Sequence, residues 1–451
     1  MRVFEPKILT SFKGYKAKNV LSDIVAGIIV AIIALPLSIA LAIASGATPE
    51  RGLYTAIVAG LVISLLGGSK VNISGPTAAF ATIVAGIIAT NGMDGLVIAT
   101  IMAGIILILL GICRVGSLIR FIPRTITVGF TGGIAVTLII GQLKDFMGLT
   151  YPDGVSAIET IDKLKLVFEH ISSINPWALL VGGIALIILI VWPLISKKIP
   201  GSLIAVLVGA LIALIPVINV NTIGSLYTIT SALPTFSIPA LDWSKVVSLI
   251  PNAFTIALLA GIESLLSCVV SDGMINDKHN SNTELIAQGV GNVFVGFFGG
   301  IPATGAIART AANVRNGGRS PLSGITHALV LLLVLVILMP YAQAIPMPVI
   351  AAILFVVAYN MSEWRHFVKI IKTKAWADIL VLTLTFVLTV VFDLVKAIAV
   401  GMVVHYAIVA IRYGIKKYKV KKAAKEDNDK KLADENSLEE NDKLEQSEKG
   451  E

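Results

Sequence analysis

Two short apolar segments of this chain are interrupted in the same way by glycine and proline. The first reads Ser74-Gly75-Pro76-Thr77-Ala78-Ala79-Phe80 and runs apolar to Ala89. The second reads Gly299-Gly300-Ile301-Pro302-Ala303-Thr304-Gly305-Ala306-Ile307-Ala308-Arg309. Proline suits a first helical turn, where its missing N–H removes no bond. Each segment is therefore expected to be a half-helix starting at membrane depth, with Pro76 and Pro302 in the first turns. Free N–H groups and partial positive charge at a helix N-terminus favour anions. Matched breaks in two halves point to the binding site of a transporter.

Five side chains could add chemistry. Glu263 lies inside the apolar run Ala260–Cys268. An acidic residue at that depth is a functional candidate, as a proton site or a sodium ligand, or else a structural partner for a nearby helix or for Arg309. Ser267, one turn on, is either an ion ligand or a hydroxyl bonded back to its own helix. Arg309 either raises the potential near the half-helices or snorkels to the helix end. The hydroxyls of Thr77 and Thr304, with the N–H groups of Ala78, Ala79, Gly305 and Ala306, are the expected anion donors. Close packing through the same small residues is the alternative. Pro36 kinks the first span, and the architectural role is the stronger reading.

The elements that position these residues are membrane spans. The chain has 451 residues, 56% hydrophobic and 14% charged, against roughly 25% charged for a soluble domain. The net charge of +8 sits in loops and at the ends, which argues for membrane topology and against nucleic acid. Fourteen apolar segments are expected, at about 22–44, 50–67, 76–90, 95–113, 125–147, 175–195, 200–218, 251–271, 284–299, 303–314, 321–340, 345–360, 375–392 and 394–413. Several are too short to span. Lys70, Arg114, Arg120, Arg124, Lys197, Lys198, Lys278, Arg315, Arg319, Arg365, Lys369, Lys372 and Lys374 then fall in loops on one side, with both termini cytoplasmic.

Fourteen spans divide into seven plus seven. An odd number per half inverts the second half. The expected organisation is a basic N-terminus (1–20), a first repeat (21–218), an extracellular connection (219–250), a second repeat (251–415) and a charged, disordered or marginally helical tail (416–451). Residues Lys70–Ser74 and Phe297–Ile301 are expected as short strands that pair with each other, since buried irregular backbone needs partners. An amphipathic helix is expected in Ala157–Ile171. No cleavable signal peptide is expected. Cys113 and Cys268 read as packed thiols. The five histidines form no ligand pattern. No cofactor motif is present, and nothing in the sequence suggests an enzyme.

At these motifs the chain resembles the sulfate permease (SulP) family of anion transporters over nearly all of residues 20–415. The resemblance rests on Asp23-Ile24-Val25-Ala26-Gly27, the Pro36 region, Gly52-Leu53-Tyr54, Gly75-Pro76-Thr77 and Glu263-Ser264-Leu265-Leu266 through Asp272. It continues with Asn282-Thr283-Glu284-Leu285, Gln288-Gly289, Phe298-Gly299-Gly300 and Ala306–Thr310. Tyr359–Trp364 is most similar to the bacterial branch that includes a dicarboxylate transporter. The resemblance implies a polytopic all-α fold with core and gate domains, usually a homodimer in the lipid bilayer, here of the bacterial inner membrane. It implies an anion site at Thr77, Ala78, Ala308 and Arg309, with Glu263 at the coupling position for a proton or sodium ion. Sulfate is the default substrate, and bicarbonate and C4-dicarboxylates stay open. An anion channel on the same fold and a nucleobase permease are the alternatives. Two departures stand out. Leu37 replaces a glutamine common after the span-1 proline, and only a charged tail is expected where members carry a cytoplasmic STAS domain.

Overall fold

A computed structural model describes residues 4–12, 15–117, 123–152, 155, 157–196, 199–240, 243–392 and 396–422. Its helices in chain order are α1 (Ala17–Ala44) and α2 (Pro49–Leu66). The stretch Ala81–Ile112 breaks at Gly92, whose φ of 68° and ψ of −174° turn the chain, so it comprises α3 (81–91) and α4 (93–112). Only glycine takes such angles without strain. Then come α5 (Arg124–Met147), α6 (Pro176–Ile195), α7 (Gly201–Ala213), α8 (Trp243–Ile275) and α9 (Ser281–Phe297). The last five are α10 (Ile307–Arg315), α11 (Leu322–Leu338), α12 (Met347–Met361), α13 (Trp376–Val391) and α14 (Lys396–Lys422). All fourteen expected segments are present as helices. Local signals explain the starts of several: Pro176 follows Asn175, whose side chain accepts from Trp177 N–H, and Asn280 caps α9 by accepting from the amides of Asn282 and Thr283.

Several boundaries differ from expectation. α8 begins at Trp243, inside the stretch assigned to the outer connection, because Pro251 is absorbed within the helix. That connection also holds a short helix, Ile223–Leu226, closed by a capping box between Thr222 and Ser225. The amphipathic helix of the other long loop covers Thr160–Glu169. α14 runs on to Lys422, past residue 415; the rest of the tail, with Arg120, Lys197 and Lys198, lies outside the described residues. Cys268 is buried as expected, whereas Cys113, just past α4, is exposed.

The two halves pack as inverted counterparts. α4 lies along α9, and α11 lies along α2 in the opposite half. The first contact is a glycine crossing: a Cβ on Gly289 would stand 2.5 Å from the Gly104 carbonyl, and one on Gly104 would stand 2.6 Å from that of Gly289. The second pairs Gly324 with Ser64 and Gly60 with Ala328. Small residues let helices approach closely where lipid supplies no hydrophobic drive. With α1, α8 and α10 these helices form the core. A second group holds α5 against α13 through Gly129 and Gly133, and α6 and α7 against α12 through Val181, Ala185, Ala205, Val349 and Ala352. This is the gate.

Loops expected on one side do meet there. Lys7 and Lys70 reach Asp277 at 3.8 and 2.9 Å. Asp23 at the start of α1 accepts from the amides of Arg319 and Ser320, from the Ser320 hydroxyl and from Tyr15. Burial, then the hydrogen bond to Asp23, push the Tyr15 phenol up to about 12. At the other end Asn175 N–H donates to Met147 O and Met347 N–H to Asn221 O.

Candidate functional site

The breaks are joined by a two-stranded antiparallel sheet. β1 (Ser74–Gly75) pairs with β2 (Thr304–Gly305), Ser74 facing Gly305 and Gly75 facing Thr304. Pairing of two such strands was expected, and the antiparallel register is what two oppositely inserted halves require. The second strand is not at Phe297–Ile301, however. It follows Pro302, because the chain before it is clamped elsewhere. Ile301 N–H donates to the Thr55 hydroxyl at 2.8 Å, and Ala303 exchanges two hydrogen bonds with the Asn292 amide, both 2.9 Å.

That shift relocates the helix starts. Pro76 directly follows β1 and Pro302 lies just before β2, so neither is in a first helical turn. Thr77 is extended, with φ of −129° and ψ of 158°, and a 3-10 turn at Ala78–Phe80 leads into α3. α10 begins at Ile307, after extended Ala306. Ala306 N–H is therefore bound to Ile73 O at 2.9 Å, and the Thr304 hydroxyl donates to Ala260 O at 2.8 Å. The Thr304 hydroxyl and the Ala306 N–H are thus engaged in shaping the break. Helix geometry leaves the first N–H groups of α10, at Ile307, Ala308 and Arg309, without intrahelical partners, as it does those of Ala78 and Ala79, which were among the expected donors. Ile307 and Ala308 face open space, while Ala78 and Ala79 are buried.

Three expected side chains come together here. The Thr77 hydroxyl donates to Glu263 Oε2 at 2.9 Å, linking the first break to α8. Arg309 is only 2% exposed, which removes the snorkelling alternative. Its Nη2 donates to the carbonyl of Pro76, and its Nε and Nη1 have no partner among the described residues. A Cβ on Gly75 would sit 2.4 Å from Nη1, so glycine is the residue that admits the guanidinium. Arg309 and Glu263 do not form an ion pair with each other. The guanidinium is thus buried at the start of α10, with two nitrogens that have no hydrogen-bond partner among the described residues.

Ser267 is turned elsewhere. Its hydroxyl donates to Asn72 Oδ1 at 2.7 Å, beside the Thr310 hydroxyl. Asn72 also donates to Glu284 Oε1 at 2.7 Å. Glu284, fully buried, further accepts from the Ser264 hydroxyl at 3.1 Å, Gln288 Nε2 at 3.0 Å and the Gly68 amide at 2.9 Å. Gln288 passes on to the Ser74 hydroxyl, and Thr310 accepts from Ile73 N–H. This network fixes β1 against α8, α9 and α10. Glu284 and Gln288 enter the sequence pattern only through the family resemblance, and Asn292 is not among its motifs. Their spacing was the available signal: 284, 288 and 292 form one polar stripe down an otherwise apolar helix. Pro36 is buried within α1, and Leu37 beside it packs into an apolar cluster with Leu53 and Leu354.

Known proteins resemble this chain in sequence and in fold. The sulfate permease family matches residues 20–385. Over 398 residues the chain is 44% identical to YvdB of Bacillus subtilis (strain 168), provisionally named a sulfate transporter, covering 88% of this chain and 74% of that one. It is 34% identical over 403 residues to the bicarbonate transporter BicA of Picosynechococcus sp., covering 86% and 69%. Among solved structures, the transmembrane domain of a cyanobacterium BicA superposes with a TM-score of 0.73 at 30% identity, covering 85% of this chain and 98% of that one. The murine Solute Carrier 26 family member A9 anion transporter, in the inward-facing state, gives 0.81 at 19% identity over 90% and 71%, a likeness of fold. The chain belongs to the sulfate permease family.

Proposed function

We propose that this protein is a secondary active transporter of small anions. The carrying observation is Arg309: a buried guanidinium with two unpartnered nitrogens, set between the starts of α3 and α10. An anion there gains charge-assisted hydrogen bonds from Arg309 and from the helix N–H groups. Thr77 and Ala78 of the first break and Ala308 of α10 line it. Relatives named for sulfate and for bicarbonate support both as substrates. The site's donors are mostly backbone groups and small side chains, which suit a small oxyanion of either kind.

Glu263 is the coupling residue. A proton suits it better than sodium. Ser267, the second oxygen expected for a sodium site, is held by Asn72, leaving Glu263 with Thr77 as its hydroxyl partner. The halves 21–218 and 251–415 act as inverted repeats. The core carries the anion and moves against the gate, in a homodimer with both termini cytoplasmic in the bacterial inner membrane.

The test is uptake into proteoliposomes of labelled sulfate, bicarbonate and succinate, with imposed proton or sodium gradients. Saturable uptake with counterflow, driven by a proton gradient, is expected. Ohmic current through the purified protein in a bilayer would favour a channel and sink the carrier reading. Accumulation driven by sodium alone would reassign the coupling ion.

A further inference from the structure

The helix Trp364–Lys372, which joins α12 to α13, belongs to neither the site nor the core. Residues in the left-handed region turn the chain at both of its ends, Glu363 with φ of 46° and Lys374 with φ of 54°. Both lack the freedom of glycine, so the sharp turns are held by their surroundings. The helix has two faces. Trp364, Phe367, Val368 and Ile371 recur at helical spacing on one, and Arg365, Lys369 and Lys372 on the other. Phe367 is anchored on Phe386 of α13, ring centroids 5.4 Å apart. Trp364, Val368 and Ile371 stay 44%, 36% and 43% exposed, so protein covers only part of the apolar face.

Two arginine–tryptophan pairs flank this helix. Arg365 lies 5.8 Å from the Trp364 ring centroid. Arg412, from α14, lies 5.7 Å from that of Trp376, at the start of α13. The second pair sets Arg412 at Trp376, four residues after the helix ends, and Lys416 and Lys419 further along α14 are exposed. Tryptophan concentrates at the level of lipid headgroups, and a guanidinium on its face is held at that level. An apolar stripe next to an array of cations is the form of a helix lying in a membrane interface.

We propose that Trp364–Lys372 and the basic end of α14 form one binding surface for anionic phospholipids. The apolar stripe enters the acyl boundary, and Arg365, Lys369, Lys372 and Arg412 meet the headgroup phosphates. Charge complementarity selects the occupant, since a zwitterionic lipid offers the same acyl chains without the net charge.

Native mass spectrometry of the full chain, titrated with phosphatidylglycerol and phosphatidylcholine, tests this. The wild type should retain the anionic lipid about tenfold better. The variant Arg365→Gln/Lys369→Gln/Lys372→Gln should lose that preference to within about twofold. A control, Lys16→Gln/Lys18→Gln/Arg315→Gln, removes equal charge elsewhere and should keep it. Equal loss in both variants, or no preference in the wild type, overturns the proposal. A measurement on native-like protein guards against misfolding. Brominated phosphatidylglycerol in vesicles should quench a tryptophan emission component that Trp364→Phe lacks, and do so more than brominated phosphatidylcholine. Equal quenching by the two lipids overturns it as well.

Discussion

Thr77 and Glu263 come from opposite halves of the chain, 186 positions apart, and are joined by a hydrogen bond of 2.9 Å. Thr77 is the last extended residue before the first half-helix, and Glu263 stands on α8. In the proposed mechanism this bond carries a change at the carboxylate to the start of the first half-helix. A hydrogen bond to a charged group contributes roughly 1.5–3 kcal/mol. Thr77→Val should thus weaken apparent anion affinity about tenfold or more in uptake assays. Thr77→Ser should restore it. Equal affinity in the valine variant would separate the bond from transport.

Glu263→Gln keeps the shape and removes the ionisable group. Gradient-driven accumulation should disappear while exchange of labelled for unlabelled anion persists. Normal accumulation by the glutamine variant would end the assignment of Glu263 as coupling residue.

Arg309 and Gly75 should behave as one unit. Arg309→Lys keeps charge but loses the planar fork that reaches Pro76 O and leaves two nitrogens for an anion. Gly75→Ala places a methyl group 2.4 Å from Nη1. Both should raise KM for the anion by about tenfold with a smaller change in maximal rate. The double variant should be little worse than either alone, because both act on the same guanidinium position.

Glu284 serves structure before transport. Glu284→Gln replaces an acceptor of several N–H groups by an amide that must turn a donor toward some of them. Leaving such buried groups unsatisfied costs about 1–3 kcal/mol each. A fall of several degrees in the melting temperature of detergent-purified protein is expected, with KM affected less than in Arg309→Lys. The reverse ranking would place Glu284 in the binding site.

Tyr15 makes stability sensitive to alkali. Burial, then its bond to Asp23, hold the phenol neutral up to about 12 in the folded chain, against roughly 10 when unfolded. Its contribution is complete below the unfolded value and is lost as pH rises through about 12, because only the unfolded chain releases the proton between them. Melting temperature should fall less steeply in Tyr15→Phe than in wild type from pH 10 upward. Identical slopes would refute the linkage.

Fourteen apolar segments, their odd division and the two interrupted helices were legible in the residues themselves. Chain-local physics dictates them: about 20 apolar residues cross a bilayer, glycine and proline break helices, and cations gather in loops. Glu263 and Arg309 stood out for the same reason, as charges that an apolar segment does not otherwise tolerate. The exact place of the second strand was not legible. Thr55 and Asn292, distant in sequence, hold Ile301 and Ala303 and so carry the pairing past Pro302 to Thr304–Gly305. That assembly consumes the Ala306 amide and frees those at the start of α10. The pairings of Thr77 with Glu263, Ser267 with Asn72 and Arg309 with Pro76 were likewise settled by tertiary structure. The sequence alone determined which groups must find partners at membrane depth. Which partner each one found depended on contacts between segments some 200 residues apart, and no local pattern records those.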